Sequence, residues 1–198
     1  MNYQPGRNGG GPKEMCNAYN GKIHVDVYGA STQFENTNDI IVSNCWAHAR
    51  RKFIDAQSFD NAKAGEVLTL IAQLYGVEKH CRENHFNTEQ IKQQRQEKSV
   101  PILAALHVVL KTQLNATLPN SPLGKAIQYT LSRWQKLQVY TQEGFLPIDN
   151  NLVENSIRPI AIGRKNWLFA GSHEAARRSS MLYSLFATCR LHNIEPVQ

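Results

Sequence analysis

Two carboxylates sit where a charge needs a reason. Asp26 lies in Lys22-Ile-His-Val-Asp-Val-Tyr28, whose alternation of β-branched residues predicts a strand. An acid among apolar strand residues is costly unless it is solvated, paired or bound to a metal. Alternate residues of a strand share a face, which puts Asp26 with His24 and Tyr28. A strand-edge aspartate making local hydrogen bonds is the plainer alternative. Glu154 falls about one turn into a short helix that follows Asn150-Asn151. Its plainer roles are a surface pair with Arg158, four residues on, or a capping box with Asn151. Asp149 competes with it as the acid of this segment, and helix capping is its ordinary use.

Two such carboxylates could share Mg²⁺ or Mn²⁺, hard ions that prefer oxygen ligands and accept more of them from phosphates. In a two-metal site one ion activates the attacking water or hydroxyl and the other stabilises the leaving oxygen. That arrangement normally takes at least three acids, and Asp26 with Glu154 makes two. Zinc is the other metal to weigh. Cys45 with His48 and Cys189 with His192 share one spacing, and together they would make four ligands. Both pairs fall in predicted helices with hydrophobic neighbours, so His48 reads better as a packing or DNA-contacting residue.

The cations are densest at Arg50-Arg51-Lys52, Arg164-Lys165 and Arg177-Arg178. Such runs neutralise backbone phosphates or simply face solvent. Between Arg158 and Lys165 the case for nucleic acid improves, because Asn166, Trp167 and Phe169 add hydrogen bonding and stacking. No helix-turn-helix, zinc-finger or RNA-recognition pattern is present, and no glycine loop to cradle a nucleotide phosphate.

The elements that must position these groups follow from patterning. The chain has 198 residues, 41% hydrophobic, with a net charge of +6, which favours polyanionic partners. Its longest apolar run, Val100 to Leu110, is too short to span a bilayer. No apolar segment follows the first residues, and four scattered cysteines fit a reducing, cytoplasmic setting. Residues 1–21 look irregular. A second strand is expected over 39–43, whose apolar run is continuous, as in a strand covered on both faces. From Cys45 the period becomes helical: Trp46, Ala49 and Phe53, then Val67, Leu70, Ile71, Leu74 and Val77. The polar stretch from Lys79 to Lys98 suggests a solvated helix or an interhelical loop. Pro101 and Ser121-Pro122 open further helices. After an extended 144–148 segment, the helix holding Glu154 is expected to end near Arg158, ahead of Pro159. A last helix runs from Glu174 to about His192.

Several blocks, in order, resemble the IS66-family transposases. Asp149-Asn-Asn-Leu-Val-Glu154 through Arg158-Pro-Ile-Ala-Ile-Gly163 to Gly171-Ser172 is similar to the family's C-terminal catalytic motif. Cys45-Trp-Ala-His-Ala-Arg-Arg-Lys-Phe53 matches a second block. His24-Val-Asp26-Val-Tyr28 resembles a third, with Val27 where the family usually has glycine. Leu74-Tyr75-Gly-Val-Glu78, Ala126-Ile-Gln-Tyr129 with Arg133-Trp134, and Tyr183 to Pro196 complete the likeness.

The resemblance implies a ribonuclease-H-like α/β core carrying an Asp-Asp-Glu triad, with Asp26 second and Glu154 third. It places the first aspartate on an earlier strand, upstream of this sequence. The expected product is therefore a partial ribonuclease-H-like core over 22–198, with a large helical insertion at about 60–140 and an open sheet edge. The implied activity is DNA transposition by metal-dependent phosphoryl transfer: water cleaves at the element end, and the freed 3′-hydroxyl attacks target DNA. Asp26 and Glu154 would hold Mg²⁺ or Mn²⁺. Arg50, Arg51, Lys52, Arg158, Arg164, Lys165, Asn166 and Trp167 would contact transposon ends and target DNA. Other transposase subunits or an upstream polypeptide would be partners, at the bacterial nucleoid. The alternative is a non-catalytic DNA-binding or interaction remnant, inactive alone.

Overall fold

A computed structural model describes residues 14, 16, 18–25, 40–163 and 170–195. They divide into two compact units: one holds 20–25 and 40–150, the other 14, 16, 18, 19, 151–163 and 170–195.

The first unit begins with strands β1 (Gly21–Val25) and β2 (Ile40–Asn44), paired in parallel with Gly21 opposite Ile40 and Val25 opposite Asn44. Helices follow: α1 (Trp46–Ala56), α2 (Asn61–Glu83), α3 (Thr88–Gln94), a π-helical turn (Arg95–Ser99), α4 (Val100–Asn115), α5 (Pro122–Ser132) and α6 (Trp134–Gln138), closed by a 3-10 turn (Val139–Gln142).

This overturns the expected ribonuclease-H-like core. The described residues are overwhelmingly helical, and their sheet is two strands, not the multi-stranded α/β sheet implied by resemblance. The burial of β2 explains the misreading. Val42, Ser43 and Asn44 are buried, as a strand inside a large sheet would be. Their cover comes instead from α6 and the 3-10 turn.

Helical periodicity is honoured closely. Trp46, Ala49 and Phe53 of α1, Val67, Ile71 and Leu74 of α2, Leu103, Leu106 and Leu110 of α4, and Leu123 and Ile127 of α5 form one core. Trp46 is fully buried, and its indole N–H donates to the Leu137 carbonyl at 2.8 Å, so its polar edge is satisfied. Caps sit where the sequence puts them: Asp60 accepts from the Lys63 amide, and Ser121 from the Gly124 amide, both at 3.0 Å. A β-carbon on Gly124 would collide with the Leu118 and Pro119 carbonyl oxygens, so the tight turn before α5 requires glycine.

The polar stretch from Lys79 to Lys98 is not simply solvated. Asn87 and Gln90 form a reciprocal capping box that starts α3. The π-helical turn then carries Arg95 inward, to 2% exposure. Its guanidinium grips Glu78 of α2 through two bonds, of 2.8 and 2.6 Å. Its Nη1 donates to the carbonyl oxygens of Tyr140, Glu143 and Leu146. Nearby, Lys22 of β1 reaches Glu143 at 2.6 Å and holds that carboxyl below the usual carboxylate range.

The second unit contains α7 (Asn151–Gly163) and α8 (His173–Leu191), the latter capped by Ser172, which accepts from the Ala175 amide. Helix α7 does not stop near Arg158 but continues through Pro159 to Gly163. Pro159 lacks only the amide that would reach Asn155, and the helix resumes beyond it. Among the described residues of this unit none is fully buried, and Leu152, Val153, Ile157, Ile162, Met181, Leu182, Leu185 and Phe186 are exposed.

Two measurements check the polar frame. Arg95→Met should lower unfolding free energy by about 3–5 kcal/mol in urea titrations, because the Glu78 charge and three carbonyls lose their partner together. Lys79→Ala, at an exposed pair, should change it by less than about 0.5 kcal/mol. Glu143→Gln should destabilise at pH 7. A carboxyl with a lowered folded-state pKa stabilises above its unfolded pKa and loses that contribution as pH falls through the folded one, so the variant and parent should converge in acid, below the folded-state pKa.

Candidate functional site

Three sequence blocks converge where the chain leaves the first unit for α7. Residues 148–150 are fastened one after another. The Ile148 carbonyl accepts from the Trp46 amide at 3.1 Å. Asp149 is hydrogen-bonded to the Tyr75 side chain. The Asn150 amide donates to Cys45 Sγ at 3.3 Å. Cys45 and Trp46 open α1 and Tyr75 lies on α2, so both helices hold the segment preceding Asn151. Upstream, Leu146 is held by Arg95.

Electrostatics make this an anchor, not a reactive centre. Burial, then the negative Asp149, push the Tyr75 hydroxyl far up, while Arg50 opposes them. Tyr75 therefore stays protonated and donates. Burial also pushes the Cys45 thiol up, against the amides of Asn150, His48 and Ala47, which pull it down. A protonated, buried thiol is a poor nucleophile. Asp149, read from the sequence as a helix-capping acid, is bonded to Tyr75.

Glu154 occupies the first turn of α7, as the sequence indicated, where the helix dipole favours a carboxylate. It is half-buried and its Oε1 is shielded from solvent. Arg158 lies on the same helix, exposed. Arg50, Arg51 and Lys52 are exposed on α1, with Lys52 Nζ 4.6 Å above the Tyr129 ring. Asp26, Arg164, Lys165, Asn166 and Trp167 lie outside the described residues. Among the described residues no group of three or more His, Cys, Asp or Glu side chains could hold a metal ion. No described helix is long and apolar enough to cross a membrane.

Sequence reasoning missed Tyr75 and Arg95 as determinants of this junction. Tyr75 stood inside a recognised block, yet its partner is 74 positions away in the chain and no periodicity announces it. Tyr75→Phe should cost about 1.5–3 kcal/mol of stability, the usual worth of a hydrogen bond to a charged group. In a double-mutant cycle with Asp149→Asn, followed by urea unfolding, the two changes should be clearly non-additive.

The profile of the transposase IS66 family matches residues 1–178. Among curated proteins, the chain is similar to three uncharacterized proteins of Sinorhizobium fredii (strain NBRC 101917 / NGR234). It is 31% identical to y4jD over 186 residues, 90% of this chain and 36% of that protein. To y4hP it is 30% identical over 207 aligned positions, covering 96% and 37%. To y4qI it is 33% identical over 187, covering 90% and 34%. The chain thus spans about a third of the length of the relatives it matches. No solved structure matches it. With the blocks around Cys45, Tyr75 and Glu154 all inside the matched span, the chain belongs to the IS66 family of transposases.

Proposed function

We propose that this chain supplies two of the acids, Asp26 and Glu154, of a metal-dependent phosphoryl-transfer site that cuts and joins DNA during transposition. Family membership supports the reading, and one structural observation carries it. Glu154 stands half-buried in the first turn of α7, directly after a segment that three hydrogen bonds fasten. A carboxylate supplies the hard oxygen donors that a divalent ion prefers. Mg²⁺ or Mn²⁺, when bound, would lower the pKa of the attacking water and neutralise charge at the phosphate.

This chain's residues would do the rest. Glu154 and Asp26 provide the carboxylate oxygens. Arg158, exposed four residues beyond Glu154, meets a backbone phosphate, and Arg50, Arg51 and Lys52 add further phosphate contacts. Arg164, Lys165, Asn166 and Trp167 belong to the same proposed DNA contact. The reading assigns the remaining acid, the first aspartate of the triad, to polypeptide beyond these 198 residues, in keeping with relatives about three times as long. Transposon ends and target DNA are the proposed partners, with other transposase subunits. A second reading, DNA binding without catalysis, draws on the exposed cations of α1 alone.

The two readings separate on metal and DNA together. With Mn²⁺ and a duplex carrying a candidate element end, the purified chain should bind the duplex and leave it uncut. Glu154→Gln should weaken Mn²⁺ binding, followed by electron paramagnetic resonance, by at least about tenfold. Duplex affinity should be unchanged. Equal Mn²⁺ affinity in the variant would remove Glu154 from the site. Cutting by the parent that disappears in Glu154→Gln would mean the site needs no acid from elsewhere.

A further inference from the structure

From Lys98 to Gln142 the sequence has no aspartate or glutamate, so all 16 acids of the chain lie outside these 45 residues. The same stretch carries Lys98, Lys111, Lys125, Arg133 and Lys136. It forms α4, α5 and α6, and α5 packs between α4 and α1.

The fold arranges several of these cations on rigid supports. Lys125, Tyr129 and Arg133 follow one another at one-turn spacing along α5. Lys52 of α1 lies 4.6 Å and Arg133 4.2 Å from the centroid of the Tyr129 ring, so one aromatic side chain holds two cations near each other. Arg133 Nη1 donates to the Tyr129 carbonyl and to Ser132 Oγ. Its Nε and Nη2 have no acceptor among the described residues, which leaves one edge of the guanidinium open. The next residue, Trp134, stacks on His107 of α4 at 4.7 Å and 16°, and meets the buried Trp46 edge-on at 6.0 Å. Lys111 lies one turn beyond His107, near enough to help burial lower the pKa of that imidazole. Lys52, Lys111, Lys125 and Arg133 make no ion pair among the described residues. Asp55 is the acid closest to Lys52 along α1, and Glu66 of α2 is engaged with Gln113.

We propose that this face of α1, α4, α5 and α6, centred on Arg133 over Tyr129, is a docking surface for the phosphate backbone of duplex DNA, separate from the acids of α7. The proposal rests on the reading of the chain as a DNA-processing protein. The chemistry favours phosphodiesters in particular. An open guanidinium edge matches two phosphate oxygens. Lysines on neighbouring helices supply point charges without acids between them to repel a polyanion. Because the proposed contacts are charge contacts to phosphate and not to base edges, binding should be indifferent to DNA sequence.

The test is duplex binding by the whole chain, read by fluorescence anisotropy between 50 and 200 mM salt. Three variants are compared: Lys111→Gln with Lys125→Gln, Arg133→Gln, and all three changes together. Lys111 and Lys125 are exposed and outside the aromatic contacts, so the double variant should keep the fold; circular dichroism melting verifies this. For the triple variant we expect at least about tenfold weaker binding. Its log–log salt slope should be shallower by roughly 0.9 for every phosphate that the variant no longer neutralises. Two unrelated duplexes should be affected alike. Unchanged affinity and slope in the triple variant, while Arg158→Gln abolishes binding, would overturn the proposal and leave the α7 reading intact. No duplex binding by the parent at 50 mM salt would overturn both. Competition by polyglutamate as effective as duplex DNA at equal charge would assign the face to an acidic protein and also overturn it.

Discussion

The described part of the first unit depends on one buried guanidinium. Moving a charge of this size out of water costs several kcal/mol, and only a dense set of partners offsets that. Arg95 has them: a forked contact with Glu78 and three main-chain carbonyls drawn from the 3-10 turn and the segment after it. Lysine could not substitute, because its single ammonium cannot satisfy a carboxylate side-on and three carbonyls in one plane. The π-helical turn follows from this demand. Arg95 ends the regular spacing of α3, its amide still donating to the Ile91 carbonyl, and opens the π-helical turn, in which the Val100 amide donates back to the Arg95 carbonyl.

From that ion the constraints run along the chain. Arg95 holds Leu146, Trp46 holds Ile148, Tyr75 holds Asp149 and Cys45 holds Asn150. A neutral bond of this kind is worth about 1 kcal/mol and one to a charged group, as at Asp149 or from Arg95, about 1.5–3 kcal/mol. Together they remove the conformational freedom of a five-residue run that would otherwise be a loop. The family's most distinctive motif begins inside this run. Its first residues therefore have a structural duty, and conservative-looking changes at Tyr75 or Cys45 act on the same motif from a distance.

Much of the helical frame was legible because periodicity is local. Trp46, Ala49 and Phe53 declare their helix, and Ser121-Pro122 declares where another starts. Glu154 was legible for the same reason, being a fixed number of residues from the start of α7. What was not legible was non-local. The Lys79–Lys98 stretch reads as solvated because charge is the only property visible there, whereas Arg95 finds acceptors 45 to 51 positions further along. The sheet was over-read for a related reason. An apolar strand suggests that both faces are covered, whereas in β2 Ile41 is exposed and the rest is covered by α6 and the 3-10 turn. The helix through Pro159 shows the limit of a local rule, since a proline removes one bond without forbidding the next turn.

Cys45 shows how the same residue types can imitate a different site. With His48 it has the spacing of metal ligands, and it sits at the N-cap of α1, where the helix dipole favours a thiolate. Two effects therefore compete. The amides of Asn150, His48 and Ala47 stabilise the anion, while burial in an apolar environment opposes it, and burial is the larger. The sulfur is a weak acceptor, but it is large and polarisable enough to receive the Asn150 amide at 3.3 Å. Serine at this position would bond more strongly yet leave space around a smaller atom. Cysteine combines adequate packing with an adequate acceptor, and both properties are used where it receives the Asn150 amide.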